Sequence, residues 1–195
     1  MHISREIYIN DFIKQNIRTP TFPTYPACNL MYYVILTTLK RDKNIILETG
    51  TFHGISTAVI AQAAEDTGVN SHIYTIEVCK QWQDKAIENI KVSGLKTPIS
   101  FINGNSHIEI PKLLEKIDRL DFAFLDADHS FNGVYTEFNL IKDIIKASNG
   151  YVYFDNTEQG GVNEALIKIK SENDCNLIRF PYCSYSPPGQ ALLNF

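Results

Sequence analysis

The sequence lacks the features that would place the protein in a membrane or on nucleic acid. No long uncharged apolar run is present that could span a bilayer, and the N-terminal stretch MHISREIYINDF contains no apolar segment of the kind that a signal peptide requires. With 22 acidic and 18 basic residues the net charge is -4, and no basic stripe is available to bind phosphates. We therefore expect a cytoplasmic protein that binds neither membrane nor nucleic acid.

The sequence also lacks close cysteine pairs, internal repeats and low-complexity tracts. Its four cysteines are widely spaced, at Cys28, Cys79, Cys175 and Cys183. Zinc and redox motifs need pairs a few residues apart, so we expect reduced thiols. At 195 residues, 44% of them apolar, the chain is long enough for one sizeable core. We predict a single domain over 1–195, in which 1–43 form an N-terminal arm and helix.

What is present is a regular alternation of short apolar runs with longer helical patterns. The predicted strands are Asn44–Leu47, His72–Ile76, Ile99–Ile102, Asp121–Leu125, Tyr151–Phe154, Asn176–Phe180 and Ala191–Phe195. The predicted helices are Asn29–Lys40, Gly54–Glu65, Lys80–Val92, Ile108–Ile117, Asn132–Ala147 and Val162–Ser171. The three prolines of Thr19–Pro26 predict a loop there. Such an alternation is typical of an α/β fold with a doubly wound, mostly parallel sheet.

The segment ETGTFHGIS places two glycines, Gly50 and Gly54, between the first strand of this sheet and the following helix. Glycines let the backbone approach a ligand closely, and a helix N-terminus offers free N–H groups to an anion. A structural turn explains the loop equally well. Glu77, at the end of the second strand, shifts the balance toward nucleoside binding, because an acid there can accept both ribose hydroxyls. The loop does not match the G-x-G-x-x-G dinucleotide fingerprint.

Acidic and amide side chains follow the fourth and fifth strands. Asp126, Asp128 and His129 leave one strand, and Asp155 and Asn156 leave its neighbour. Carboxylate and amide oxygens are the ligands that Mg²⁺ and Ca²⁺ prefer, so a metal site is favoured over helix capping for Asp155 and Asn156. For Asp128 we favour a helix-capping role or a role that supports the metal ligands without touching the metal. The imidazole of His129 suits a general base.

Taken in order, these motifs resemble the catechol and caffeoyl-CoA O-methyltransferases, the metal-dependent branch of the class I methyltransferases. The resemblance covers about 44–157 and rests on ETGTFHGIS, on Glu77, on NGNSHIEIPKL and on the motifs LDADH and FDNT. It implies a seven-stranded Rossmann-like sheet with an antiparallel C-terminal strand. It also implies S-adenosylmethionine as the cofactor, a divalent cation such as Mg²⁺, and a small-molecule hydroxyl as the methyl acceptor. Relatives commonly form dimers, so a homodimer is an expectation as well.

The resemblance assigns a role to each matched position. The cofactor-binding residues are Glu48, Gly50, Gly54, Ser56, Glu77, Ser106, His107 and Asp126, with Ser56 at the methionine end, Glu77 at the ribose, and Ser106 and His107 beside the adenine. The metal ligands are Asp126, Asp155 and Asn156, and the catalytic residues are His129 and Asp126. In one respect the sequence departs from the family, because His129 occupies the position of the usual catalytic lysine.

Three other interpretations remain open at this point. A metal-independent methyltransferase acting on a sugar or natural product would use His129 as base and the acids to orient the substrate. A catalytically silent cofactor-binding module would use the acids only as helix caps. A nicotinamide-dependent oxidoreductase is disfavoured, because the third glycine is missing and Phe52 crowds the path of a pyrophosphate.

Overall fold

The computed structural model describes residues 25–39, 42–181 and 189–195, and in them seven strands form one sheet. The strands are β1 (Lys43–Thr49), β2 (Asn70–Glu77), β3 (Ile99–Asn103), β4 (Phe122–Leu125), β5 (Tyr151–Asp155), β6 (Asn176–Phe180) and β7 (Gln190–Asn194). The helices are α1 (Tyr25–Thr38), α2 (Ile55–Asp66), α3 (Lys80–Ser93), α4 (Ser106–Leu114), α5 (Phe131–Ala147) and α6 (Gly160–Glu172). The predicted arm before residue 25 and Cys183 lie outside the described residues.

The strands lie in the order β3-β2-β1-β4-β5-β7-β6. The five strands β1 to β5 pair in parallel, whereas β7 runs antiparallel to both of its neighbours. This topology confirms the predicted doubly wound, mostly parallel seven-stranded sheet with an antiparallel C-terminal strand. Strand order reverses at β1 and β4, so the helices that follow these strands diverge and leave a crevice at their carboxyl ends.

Helices cover both faces of the sheet, which explains why the central strands are apolar without alternation. Along β1, Ile46 packs with the helices α1 and α2, and the next residue, Leu47, packs with α5 and α6 on the opposite face. Both side chains are fully buried. Burying a side chain of this size contributes about 1.5–3 kcal/mol. The two cores hold the strand ends in fixed positions relative to one another.

The first helix begins earlier than the sequence predicts. We expected a loop over Thr19–Pro26, but α1 starts at Tyr25 and includes Pro26. Proline is tolerated in the first turn because the N–H groups of that turn have no partner within the helix. The prediction was therefore wrong for Tyr25 and Pro26.

The remaining predicted elements are present, with ends that differ by up to three residues. The largest difference is in α4, which runs from Ser106 to Leu114 rather than from Ile108 to Ile117. It begins early because the Asn105 side chain caps it, accepting a hydrogen bond from the backbone N–H of His107 at 2.9 Å. Among the described residues, no helix is long and apolar enough to cross a membrane.

Candidate active site

The turn between β1 and α2 is shaped by its two glycines. Gly50 has φ +85°, and a Cβ there would lie 2.3 Å from the backbone carbonyl oxygen of Asp126. Gly54 has φ +83°, and its Cβ would lie 3.1 Å from that of Ala86 on α3. A side chain at Gly50 would force the two strand ends apart. Gly50 therefore lets the turn lie directly against the segment that follows β4, and Gly54 lets it lie against α3.

Glu77 is fixed beside this turn. Its side chain is almost fully buried, and each of its carboxylate oxygens accepts a backbone hydrogen bond. The Phe52 N–H donates to Oε2 at 2.8 Å, and the Cys79 N–H donates to Oε1 at 2.8 Å. Each oxygen keeps a further lone pair to accept from a ligand hydroxyl. The glycine turn and the acid at the end of β2 thus form one unit, as the sequence predicts.

Glu48 lies beneath the turn and does not line the cavities described below. Its carboxylate is fully buried and accepts hydrogen bonds from the hydroxyls of Thr57 and Thr75, the latter at 2.7 Å. Burial raises its pKa to about 7, although hydrogen bonds from Ser56, Thr57 and Thr75 oppose that rise. In this position Glu48 holds the start of α2, including Ser56, against β1 and β2. Its predicted contact with a cofactor stays a prediction.

Two adjoining cavities open at the carboxyl ends of the strands. The large cleft occupies about 1080 Å³ with its open mouth included, and its lining includes Gly50, Phe52, Glu77, Trp82, Ser106, Asp126, His129 and Asn156. The small cavity occupies about 550 Å³ on the same basis, and its lining includes Cys28, Met31, Gly50, Phe52, Ser56, Asp126, Asp155 and Gln190. Gly50, Phe52 and Asp126 line both. The two cavities therefore meet at the glycine turn.

One part of the large cleft is formed by the N-terminus of α4. Ser106, its first residue, lines the cleft. His107, predicted beside it, is half-buried and does not line the cleft. Its Nε2 atom is buried and has no hydrogen-bond partner among the described residues. The structure thus places Ser106 at the cleft and His107 outside its lining, and the predicted contact of both residues with an adenine stays a prediction.

Asp126 and His129 form a pair at the junction of the two cavities. The His129 Nε2 atom lies 3.1 Å from the Asp126 Oδ1 atom. This hydrogen bond raises the pKa of His129, and it outweighs the opposing effect of desolvation. Burial raises the pKa of Asp126, and the bond with His129 opposes that rise. The imidazole is therefore oriented by a carboxylate, an arrangement that fixes its tautomer and strengthens it as a proton acceptor.

Asp155 and Asn156 continue the polar surface at the end of β5. Burial, and then the charge of Asp126, raise the pKa of Asp155 to about 7. Its Oδ1 atom is buried and has no hydrogen-bond partner among the described residues. Asn156 has φ 53°, in the left-handed region that asparagine tolerates better than most residues, and lines the large cleft. The three predicted metal ligands thus border one junction.

This junction fits a divalent cation in the chemistry of its donors. Two carboxylates, Asp126 and Asp155, border the junction beside an amide. The charge of Asp126 raises the pKa of Asp155, and Asp155 has an unpartnered buried oxygen. Hard cations bind oxygen donors of this kind. In the described part of the chain, no cluster of three His, Cys, Asp or Glu side chains has the arrangement of a metal site. A cation held here would therefore take its third protein ligand from the Asn156 amide.

Asp128 is placed differently from its acidic neighbours in the sequence. Its Oδ1 atom accepts a hydrogen bond from the Ser130 N–H at 2.8 Å, and Ser130 in turn caps α5 by accepting from the Gly133 N–H. A Cβ at Gly133 would lie 2.4 Å from the Asp128 Cγ atom, so Asp128 packs on the first turn of this helix. The helix cap itself is Ser130, and Asp128 supports that cap while it also lines the large cleft.

Several residues of the site could not be read from the sequence. The small cavity takes Cys28 and Met31 from α1 and Gln190 from β7, elements far apart in the chain. Only the strand order brings them to the acids of β4 and β5. The sequence indicates Phe52 only as an obstacle to a pyrophosphate. In the structure its backbone N–H donates to Glu77, and its ring lies edge-on to that of Trp82, with ring centroids 4.9 Å apart. A glycine-rich motif in the sequence does not predict the contacts of Phe52 with Glu77 and Trp82.

The strand order, the antiparallel last strand and the acid at the end of β2 define the class I methyltransferase fold. Among solved structures, the chain is similar to the O-methyltransferase TomG of Streptomyces achromogenes, with a TM-score of 0.72 and 17% identity over 97% of this chain and 88% of that one. It is also similar to an O-methyltransferase of Bacillus cereus, with a TM-score of 0.70 and 17% identity over 98% of this chain and 90% of that one. At such identities these likenesses show the fold.

Comparison of the sequence with known proteins shows the family of the chain. Residues 47–157 match the model of the methyltransferase domain family, and the chain belongs to that family. It is 33% identical over 130 residues to tricin synthase 2 of Oryza sativa subsp. japonica, a match that covers 65% of this chain and 42% of that protein. The chain thus spans less than half the length of this plant relative. The residues that match the family model include the glycine turn, Glu77 and both acidic motifs.

Proposed function

We propose that the protein is an O-methyltransferase that uses S-adenosylmethionine and methylates a hydroxyl of a small molecule. The observation that carries the proposal is the union of two cavities at Gly50 and Asp126, one containing Glu77 and the other Asp155. A nucleoside held at Glu77 would then have its reactive end at the acids. Two of the relatives named above are O-methyltransferases by name and the third is a tricin synthase, and the two O-methyltransferases support the same class of reaction.

The large cleft and the turn would hold the cofactor. The two hydrogen bonds that Glu77 receives from the backbone orient its carboxylate to accept both ribose hydroxyls. Ser106 would border the adenine, with His107 behind it. Gly50 and Gly54 would allow close approach of the methionine part, and Ser56 would bind its carboxylate together with the N-terminus of α2. Glu48 would support Ser56 from below.

The acids and His129 would act on the acceptor. Asp126, Asp155 and Asn156 would hold a divalent cation such as Mg²⁺. When bound, that cation supplies a Lewis acid that lowers the pKa of the acceptor hydroxyl. Asp126 holds His129 so that, in the neutral imidazole donating from Nε2, the Nδ1 atom is free to accept the hydroxyl proton.

The transfer itself needs mainly orientation. When bound, S-adenosylmethionine would supply an activated methyl group to the acceptor oxygen, and His129 would take the hydroxyl proton. The protein's contribution is to hold both reactants at the junction of the cavities, and such placement supplies several kcal/mol of the acceleration. Burial and the charge of Asp126 hold the pKa of Asp155 at about 7, so a bound cation would favour loss of its proton near neutral pH.

The experiment is a methyl-transfer assay with labelled S-adenosylmethionine and a panel of phenolic and sugar hydroxyls, run with Mg²⁺ and with EDTA. We expect transfer that EDTA suppresses and that Asp155→Ala abolishes. Asp121→Asn, a buried acid at the opposite end of β4, serves as the control variant. Methyl transfer that EDTA does not change would exclude a role for the cation and favour a metal-independent methyltransferase. Binding of S-adenosylhomocysteine without transfer to any acceptor would contradict the enzymatic proposal.

A further inference from the structure

A buried acid on α5 takes no part in the reaction described above. Glu137 is 1% exposed, and the other buried residues of its helix are a glycine and apolar side chains, Val134, Phe138, Ile141 and Ile145 among them. A carboxylate in such a place is costly unless it is hydrogen-bonded. Burial raises its pKa, and hydrogen bonding and nearby positive charge reduce that rise. The contacts of Glu137 indicate what this buried carboxylate does in the structure.

One contact of Glu137 leads to the acidic junction. Its Oε2 atom accepts a hydrogen bond of 2.9 Å from the Thr49 hydroxyl, at the end of β1. The same hydroxyl oxygen accepts a hydrogen bond of 3.3 Å from the backbone N–H of Asp126. The Asp126 N–H also donates to the Thr49 carbonyl oxygen at 3.1 Å. Thr49 is therefore held from below by Glu137 and in turn holds the start of the Asp126 segment.

The second set of contacts leads to the part of the large cleft that Ser106 lines. Burial raises the pKa of Glu137, and the nearby side chains of Ser106 and His107 oppose that rise. The buried Oε1 atom of Glu137 and the buried Nε2 atom of His107 each lack a hydrogen-bond partner among the described residues. Ser106 and His107 are the first two residues of α4, and α4 packs against α5, the helix that carries Glu137.

We infer that Glu137 is a positioning residue of the methyl-transfer site, which sets the distance between the wall at Ser106 and the junction at Asp126. The inference rests on the proposed function, since both groups matter only if a nucleoside lies between them. Glu137 itself lines neither cavity. Ser106 and Asp126 both line the large cleft, whereas Glu137 acts on them through α4 and Thr49. Two walls tied to one buried carboxylate cannot move independently.

The test measures the Kd of S-adenosylhomocysteine by calorimetry for Glu137→Gln and Thr49→Val, at a temperature where melting curves show every variant folded. We expect each substitution to weaken binding about tenfold, because it breaks the connection between the two walls. Thr49→Ser, which keeps the hydroxyl, should bind within about twofold of the wild type. Thr49→Val changes shape little, so it remains informative if Glu137→Gln does not fold.

Asp121→Asn is the matched control. Asp121 is also a buried acid, 6% exposed, and accepts a hydrogen bond from the Ile45 N–H, but it lies at the far end of β4. We expect it to lower the melting temperature without changing the Kd. If Glu137→Gln and Thr49→Val bind S-adenosylhomocysteine as the wild type does, Glu137 is only structural and the inference is wrong. If the wild type does not bind S-adenosylhomocysteine at all, the proposed function itself is overturned.

Discussion

At the scale of single residues, Glu77 is prepared for a ligand by the backbone around it. Two N–H groups, from Phe52 and Cys79, fix its carboxylate at the edge of the large cleft. The substitution Glu77→Gln replaces one accepting oxygen with an NH₂ group that faces a backbone donor. We expect the Kd of S-adenosylhomocysteine, measured by calorimetry, to rise roughly ten- to a hundredfold. The exposed Glu88→Gln on α3 is the control, and equal affinities for the two variants would contradict a ribose contact at Glu77.

Glu48 makes stability depend on pH in a defined direction. Its pKa is raised by burial to about 7 in the folded protein, from an ordinary value of 4.5. Between those values the unfolded chain releases this proton and the folded protein does not, so rising pH favours unfolding. We expect the free energy of unfolding of the wild type, relative to that of Glu48→Gln, to fall by up to about 3 kcal/mol between pH 4 and pH 8. Urea unfolding at both pH values measures this, and a difference independent of pH would show that Glu48 is charged in the fold.

At the scale of elements, the turn between β1 and α2 determines how closely the strand ends approach. A methyl group on Gly50 would meet the Asp126 backbone, whereas one on Gly94 would meet nothing within 4 Å. Both glycines have positive φ, so each alanine carries the penalty of about 1–2 kcal/mol for a left-handed residue. We expect Gly50→Ala to cost several kcal/mol more than Gly94→Ala in urea unfolding, and to abolish S-adenosylhomocysteine binding. Similar costs for the two would show that the turn can move away from Asp126.

The elements also show how far the sequence could predict this structure. Buried parallel strands and their following helices have strong apolar patterns, so their order and the residues after each strand could be predicted. The acids of β4 and β5 and Glu77 are found that way. The start of α1 could not be predicted, because the three prolines of Thr19–Pro26 favour a loop. Pro26 is compatible with a helix because it lies in the first turn of α1. Glu137 could not be predicted either, because a glutamate within a helix is usually exposed and only the packing of α5 buries it.

At the scale of the whole molecule, the site exists because the sheet reverses its order at β1 and β4. Helices from the two faces then diverge, and the crevice between them receives groups from β1, β2, β4, β5, β7, α1 and α4. The two cores hold these elements rigidly, so the large cleft and the small cavity meet at one place. The expected homodimer and cytoplasmic location stay predictions, since neither follows from this arrangement.

The most direct measurement is a crystal structure of the protein with S-adenosylhomocysteine and Mn²⁺, whose anomalous signal identifies the ion. We expect both ribose hydroxyls on Glu77, the adenine at Ser106, and the sulfur facing the junction of the two cavities. The ion should lie on Asp126, Asp155 and Asn156. A nucleoside bound away from Glu77, or an anomalous peak remote from those three side chains with none between them, would contradict the account.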